Sequence, residues 1–396
     1  MQEVTPPKYV RNVLLSLSAH GFPSCIVGGC VRDMILGVQP NDWDVATSAL
    51  PQQVIEIFPD SIPTGIKHGT VTVRSDGRFV EVTTFRTDGD YKDHRHPDNV
   101  SFVGDLNTDL SRRDFTINAM AITTDGILID PFGGAADLRK KIIRCVGTPG
   151  KRFEEDALRM LRAFRFSSRL GFEIEDNTYQ AILSNAPLAA GLSAERVRDE
   201  VEKILLTSCP EELFRVISCG LLDSYLQKHL SREDALILIS AVADKALPRW
   251  AMLCHVLLAD DCISDVLAFL TSLRLDGHTI RCCAEACAIL KNPPPDGKTA
   301  WKKLLRRCGV DAAECAAACW DAIYQRSVAD ELKKVVNSGE CFSLRRLAVN
   351  GNDIASLGLR GRELGEMLEF LLDYVIEYPD NNRRELLMTL ASRSED

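Results

Sequence analysis

Two periodicities divide this chain. Up to about residue 145, strand and helix signals alternate. After about residue 150, strand alternation disappears and helix-period segments follow one another to the end. That switch restricts the fold to an α/β head on a long helical body. In the head, SCIVGG (24–29) reads as a strand entering a tight glycine turn, and VRDMILG (31–37) as the helix after it. DWDVATS (42–48) is a second strand and PQQVIEIFP (51–59) a short helix. GTVTV and FVEVTTF flank Ser75-Asp76-Gly77, a hairpin signal, and a second hairpin surrounds Asp125-Gly126. Residues 87–105 are polar and rich in Asp, Gly and His, and read as a mobile loop running into a short strand. In the helical part NPPPDG (292–297) is the clearest break, and no repeat of fixed period is evident.

A length of 396 residues predicts two to four domains, or one domain followed by an elongated helical region. The composition is 45% hydrophobic and 26% charged, and no apolar run approaches the roughly 18–20 residues of a membrane span. The first residues lack a signal-peptide core, so a soluble, cytoplasmic protein is expected. The net charge of −9 argues mildly against a nucleic-acid partner, but phosphate contacts come from local patches rather than totals. None of the 14 cysteines forms a C-x-x-C pair. Cys283/Cys287 and Cys315/Cys319 lie in Ala-rich helical text and read as small buried residues of a reducing compartment, not zinc ligands.

Asp42 and Asp44 lie two apart on the predicted second strand, where alternation puts both carboxylates on one face. Hard oxygen ligands on a rigid strand suit magnesium, and two such ions can activate a hydroxyl and stabilise leaving pyrophosphate. Glu81, in FVEVTTF, is a candidate third carboxylate. An isolated D-x-D is more often a solvated strand end. Here Gly28 and Gly29 precede it, ending a strand and opening a helix, where backbone can approach phosphate closely. Arg32 is placed to meet phosphate, and Asp33 to cap or orient.

Glycine pair, Arg-Asp and D-x-D together resemble the nucleotidyltransferase signature of the polymerase-β superfamily. More narrowly they resemble class II tRNA nucleotidyltransferases, the CCA-adding enzymes and their poly(A) polymerase relatives. The likeness continues through TGIKHGTVTV, VEVTTFRTDG, RRDFTINAMA, DPFGG, RFEEDALRMLRAFRFSSRLGF, SAERVRDEVEKIL and LAVNGNDI. It is dense to about residue 206 and thin after it. It implies an α+β fold: a polymerase-β-like head (1–145), then an all-helical neck reading the base (146–208), body (209–292) and tRNA-binding tail (293–396). It implies Mg2+ as cofactor, and CTP, ATP and the tRNA 3′ acceptor end as partners, with no membrane. It also implies that Arg113 touches the nucleotide, that the loop at 87–101 switches between bases, and that Glu195 and Arg196 brace the neck.

In RFEEDALRMLRAFRFSSRLGF, Asp156, Arg159, Arg162, Arg165 and Arg169 fall within about half of a helix circumference. A solvated charged face is the common meaning of such text. Four arginines without a lysine, in an acidic chain, favour phosphate or base edges instead. Cytosine and adenine both present an amino donor beside a ring-nitrogen acceptor, whereas uracil and guanine present the reverse. A carboxylate beside a guanidinium therefore matches C and A. Asp156 and Arg159 supply that pair three apart on one predicted helix, with Arg162 and Arg165 supporting.

The reading is full CCA addition. An A-adding, CC-adding or poly(A)-polymerizing relative, and from another class an inactive RNA-binding module, stand as alternatives. Monomer and homodimer are both open. His68, His94 and His96 read as surface histidines, and Trp250, Trp301 and Trp320 as core. Lys302, Lys303, Arg306 and Arg307 read equally as a solvated face or an RNA-backbone contact.

Overall fold

A computed structural model describes residues 5–88, 100–226, 237–258 and 262–393. The chain packs as two compact units. Met1–Ile204 with Glu212–Ser231 forms the first, and Leu205–Glu211 with Arg232–Asp396 the second.

The first unit is built on a seven-stranded sheet. Its strands are β1 (Ser24–Val27), β2 (Asp44–Thr47), β3 (Ile62–Gly65), β4 (Thr70–Ser75), β5 (Arg78–Thr84), β8 (Ala121–Thr123) and β9 (Leu128–Ile129). They lie in the order β3-β4-β5-β2-β1-β8-β9. Between β5 and β8 the chain makes a separate antiparallel ribbon of β6 (Arg86–Asp88) and β7 (Val100–Phe102). Central β1 is buried along its whole length, which is why it is apolar and lacks alternation. On β5, Val80, Val82 and Thr84 turn inward while Phe79 and Glu81 turn out. The helix Lys8–Ala19 buries Val10, Val13, Leu14 and Leu17 against the sheet.

Both expected hairpins form. Asp76 and Gly77 both have positive φ (46° and 75°), the backbone that tight two-residue turns need. The short strand after the polar stretch is β7. Residues 89–99 of the expected switching loop, with His94 and His96, lie outside the described residues.

Two local expectations need correction. β2 begins at Asp44, and Asp42 lies in the bend before it. Only Asp44 therefore takes its direction from strand alternation. Secondly, Asp156 and Arg159 do not share a helix. One helix ends at Glu155 (Pro149–Glu155), the next is Leu158–Leu170, and Asp156 between them is extended at φ −145°. Aspartate favours such a position because its carboxylate captures the free amide of Leu158. Strand pairing also reappears once in the helical text, where Glu173–Ile174 pairs in parallel with Ile142–Ile143.

The second unit is helical. NPPPDG joins the helices Gly277–Leu290 and Gly297–Tyr324, both within it. Trp250, Trp301 and Trp320 are core residues, the last two meeting edge to face at 5.9 Å. Cys283, Cys287, Cys315 and Cys319 are buried as expected. Lys302 is buried too, bonding Glu340 (2.7 Å) and the Ile376 carbonyl (2.9 Å). Lys303 pairs with Glu377, and Arg306 with Glu369 and Asp373. No described helix is long and apolar enough to cross a membrane.

Candidate active site

β1 runs into Gly28, whose φ of +79° is left-handed and opens the helix Gly29–Ile35. A Cβ at Gly28 would stand 2.9 Å from Arg113 Nη1 and 3.7 Å from Asp44 Oδ2. Glycine here serves both the turn and the approach of two charged groups to the backbone. Asp44 opens β2, and parallel pairing with β5 sets it directly opposite Glu81. Burial pushes the Asp44 carboxyl up to about 6, and the charges of Glu81 and Asp42 add to it against the pull of Arg113. Two further carboxylates thus act on Asp44 at this corner. Hard oxygen donors under mutual repulsion fit a divalent cation, which would relieve that repulsion.

Arg113 is tethered by Asp109 at 3.3 Å, and its Nε is buried without a hydrogen-bond partner. Arg32 is only 3% exposed. Its Nε donates to Asp33 (2.8 Å) and its Nη1 to Asn118 (2.9 Å), so Asp33 orients its neighbour.

The Leu158–Leu170 helix, Asp156 just before it and Arg196 on the helix Ala194–Leu205 supply the other groups. Asp156 Oδ2 accepts from Arg196 Nη2 at 2.8 Å. Arg159 Nη1 pairs with Glu155 (2.6 Å), and its Nη2 donates to the Arg112 carbonyl (3.0 Å). Arg162 donates through Nε and Nη2 to Asp114 Oδ2 at 2.8 and 2.5 Å. Burial opposes the Asp114 charge, but Arg162, Asn118 and the Phe115 amide outweigh it and hold the carboxyl down at about 2. Arg165 Nε lies 2.6 Å from Glu200 Oε2. The guanidinium groups of Arg32, Arg162 and Arg165 all stand against the Phe166 ring, at 5.4, 5.4 and 4.4 Å from its centroid. Arg159, Arg162 and Arg165 are therefore not a solvated face, whereas Arg169 at the end of the helix is exposed and does not line the site.

These elements enclose a cleft of about 440 Å³ within the first unit. Of the residues expected from sequence, Gly28, Gly29, Arg32, Asp44, Arg113, Asp156, Arg159 and Arg162 line it, with Arg112, Asp114, Asn118, Leu158, Phe166 and Arg196. Asp42, Glu81 and Arg165 are not among the lining residues. The first two act on Asp44, and Arg165 stacks on Phe166. Six arginines and three aspartates line the cleft, and Asp33, Asp109 and Glu155 hold Arg32, Arg112, Arg113 and Arg159 from outside the lining. An anion is therefore met by oriented guanidinium edges and not by a large excess of charge; the size of the cleft suits a small ligand. Sequence reasoning missed Phe166, Asn118, Glu155 and Glu200. Two of them leave a local trace: Phe166 lies one turn after Arg162, and Glu155 four residues before Arg159 beside Asp156. Asp114 and Arg196, the latter expected only to brace the neck, also line the cleft.

Two family models match the chain: the poly A polymerase head domain over residues 24–144, and the probable RNA and SrmB-binding site of polymerase A over 171–230. The CCA-adding enzyme of Geobacillus stearothermophilus is 39% identical over 381 residues, covering 93% of this chain and 92% of the relative. That of Lactiplantibacillus plantarum is 36% identical over 391 residues, covering 96% and 95%. The crystal structure of the Bacillus stearothermophilus CCA-adding enzyme in complex with CTP superposes with a TM-score of 0.86 at 35% identity, covering 99% of this chain and 98% of that one. A charged cleft on a polymerase-type head and a likeness running nearly end to end have one common meaning: this chain belongs to the CCA-adding enzymes, the divalent-metal-dependent tRNA nucleotidyltransferases.

Proposed function

We propose that the chain adds C, C and A to the tRNA 3′ end from CTP and ATP without a nucleic-acid template. The observation that carries this is a single cleft shared by the carboxylate corner of Asp44, Gly28 and Arg113 and the carboxylate–guanidinium set of Asp156, Arg159 and Arg162. The names of the full-length relatives, and the CTP in the similar crystal structure, support it.

In this reading Asp42 and Asp44 hold Mg2+, with Glu81 as the third carboxylate. When bound, the metal supplies Lewis-acid assistance to the attacking hydroxyl and the leaving oxygen. The tRNA 3′-hydroxyl loses its proton to solvent, its oxygen bonds to the α-phosphorus, the bond from that phosphorus to the bridging oxygen breaks, and pyrophosphate leaves with that oxygen. Gly28 and Gly29 let the triphosphate approach the backbone. Arg32 and Arg113 contact its phosphate or sugar portion.

Asp156 accepts the exocyclic amine of C or A. Arg159, held by Glu155, donates to the ring nitrogen. Arg162 and Arg165 are held by Asp114 and Glu200 as support. Residues 1–145 form the catalytic head and 146–208 the base-reading neck, while the body (209–292) and tail (293–396) hold the acceptor arm by shape and backbone charge. The site of action is the cytoplasm.

The test is incubation with tRNA lacking CCA, Mg2+ and labelled CTP or ATP. Three nucleotides added in the order C, C, A is the expected product. Addition of A alone, of C alone, or of a long A tract would replace this reading with the matching relative, and no addition at all with an inactive RNA-binding module.

A further inference from the structure

The second unit carries a group of donors that nucleotide transfer does not use. His278 and Cys282 lie four apart on the helix Gly277–Leu290, so they share one face. The helix Gly297–Tyr324 is interrupted at Gly309 (φ 79°, ψ 175°), and Asp311 stands two residues past the break. His278 Nε2 lies 3.5 Å from Asp311 Oδ2, and Cys282 Sγ 3.8 Å from both imidazole nitrogens. One nitrogen, one sulfur and one oxygen therefore all fall within 4.8 Å of one another, the one such group among the described residues.

A tetrahedral zinc ion bound at about 2.0 Å to nitrogen or oxygen and 2.3 Å to sulfur holds its ligand atoms roughly 3.3–3.5 Å apart. The observed 3.5 and 3.8 Å approach that span, and because the sulfur is equidistant from both ring nitrogens the exposed His278 ring must turn to aim one of them at the ion. The three residues line a cleft of about 430 Å³, which gives an ion and its water a way in. Glu285 lines the same cleft and offsets part of the charge of Arg281 and Arg307 there. Cys308 lines it too, but its thiol points at the carbonyls of Leu304 (3.1 Å) and Gly309 (3.4 Å).

We propose that His278, Cys282 and Asp311 bind a divalent transition-metal ion of the zinc type, clamping the two helices across the Gly309 break. Thiolate and imidazole select such an ion over magnesium, so this site and the carboxylate corner take different metals. Three protein ligands leave the fourth position to water. On binding, the Cys282 S–H bond breaks, the sulfur keeps the electron pair for the metal bond, and the proton passes to solvent.

The test uses the full chain, stripped with a chelator and held in excess Mg2+, titrated with Co2+ as a spectroscopic probe. One equivalent should give intense visible d–d bands and a sulfur-to-cobalt charge-transfer band, and Zn2+ should displace it. Cys282→Ser should remove the charge-transfer band. His278→Gln and Asp311→Asn should each weaken Co2+ binding roughly tenfold or more. Cys209→Ser, at a half-buried cysteine that does not line this cleft, should change nothing. Zn2+ should raise the melting temperature of the wild type but not of Asp311→Asn, whose exposed position keeps the variant foldable. A charge-transfer band that survives Cys282→Ser, no band at all, or unchanged affinity in both His278→Gln and Asp311→Asn would overturn the site.

Discussion

At Gly28 one missing methyl group governs two charges. Gly28→Ala must hold alanine at φ +79° and push Arg113 Nη1 from 2.9 Å. The strain costs roughly 1–2 kcal/mol, so a modest fall in melting temperature is expected. Nucleotide incorporation should fall by well over tenfold, because the displaced guanidinium sits beside Asp44. Near-normal turnover would show the approach to be incidental. Asp44→Ala should abolish both C and A addition, since each uses the same corner. Its melting temperature without divalent ions should hold or rise, because a half-buried carboxylate facing Glu81 and Asp42 is relieved. Asp156 has two duties: one oxygen takes the Leu158 amide and the other Arg196. A carboxylate offers about four lone-pair sites, so a base amine can still be accepted. For Asp156→Ala, discrimination of CTP over UTP in kcat/KM should drop by about 1–3 kcal/mol. A slower enzyme with an unchanged CTP:UTP ratio would make Asp156 structural.

The Leu158–Leu170 helix is fastened to the strand-built part of its unit by the Asp114–Arg162 pair, which links residues 48 apart in sequence. Asp114 is held at about 2 against an ordinary 3.8, a depressed value in the folded state. Its contribution, about 2 kcal/mol, is therefore complete above the ordinary carboxylate value and disappears as pH falls toward about 2. Denaturant unfolding of the wild type and Asp114→Asn checks this. The gap between them should be widest near neutrality and close as pH falls through that window. A pH-independent gap would mean that the pair acts through packing alone.

Across the whole chain a net charge of −9 coexists with six arginines in one cleft. A polyanion should be drawn by that patch and repelled elsewhere, so binding should be strongly salt-dependent. Raising monovalent salt from about 50 to about 200 mM should weaken tRNA affinity by tenfold or more. A flat response in a filter-binding titration would mean that shape rather than charge holds the RNA. In the second unit Lys302, Lys303 and Arg306 have acidic partners as the cleft arginines do, but they line neither of the two clefts, so they have less to offer RNA than their sequence suggests.

What the sequence by itself determined is what short range controls. Strand alternation, glycine turns, both head hairpins and the change to helical text follow from local periodicity and turn chemistry. So does the choice of Asp44, Gly28, Arg32 and Arg159 as candidates, because chemistry is written in residue type and close spacing. It misjudged the start of β2 and the break at Asp156, where one aspartate prefers capping a helix to continuing one. The tertiary structure alone decided which distant groups meet. Glu81 faces Asp44 through sheet register, Arg196 reaches Asp156 from 40 residues away, and Arg32 joins Arg162 and Arg165 on the Phe166 ring. His278 and Cys282 are met by Asp311 from another helix. Such convergence is set by strand register and helix packing, which sum many weak contacts along the chain, and no single spacing records it.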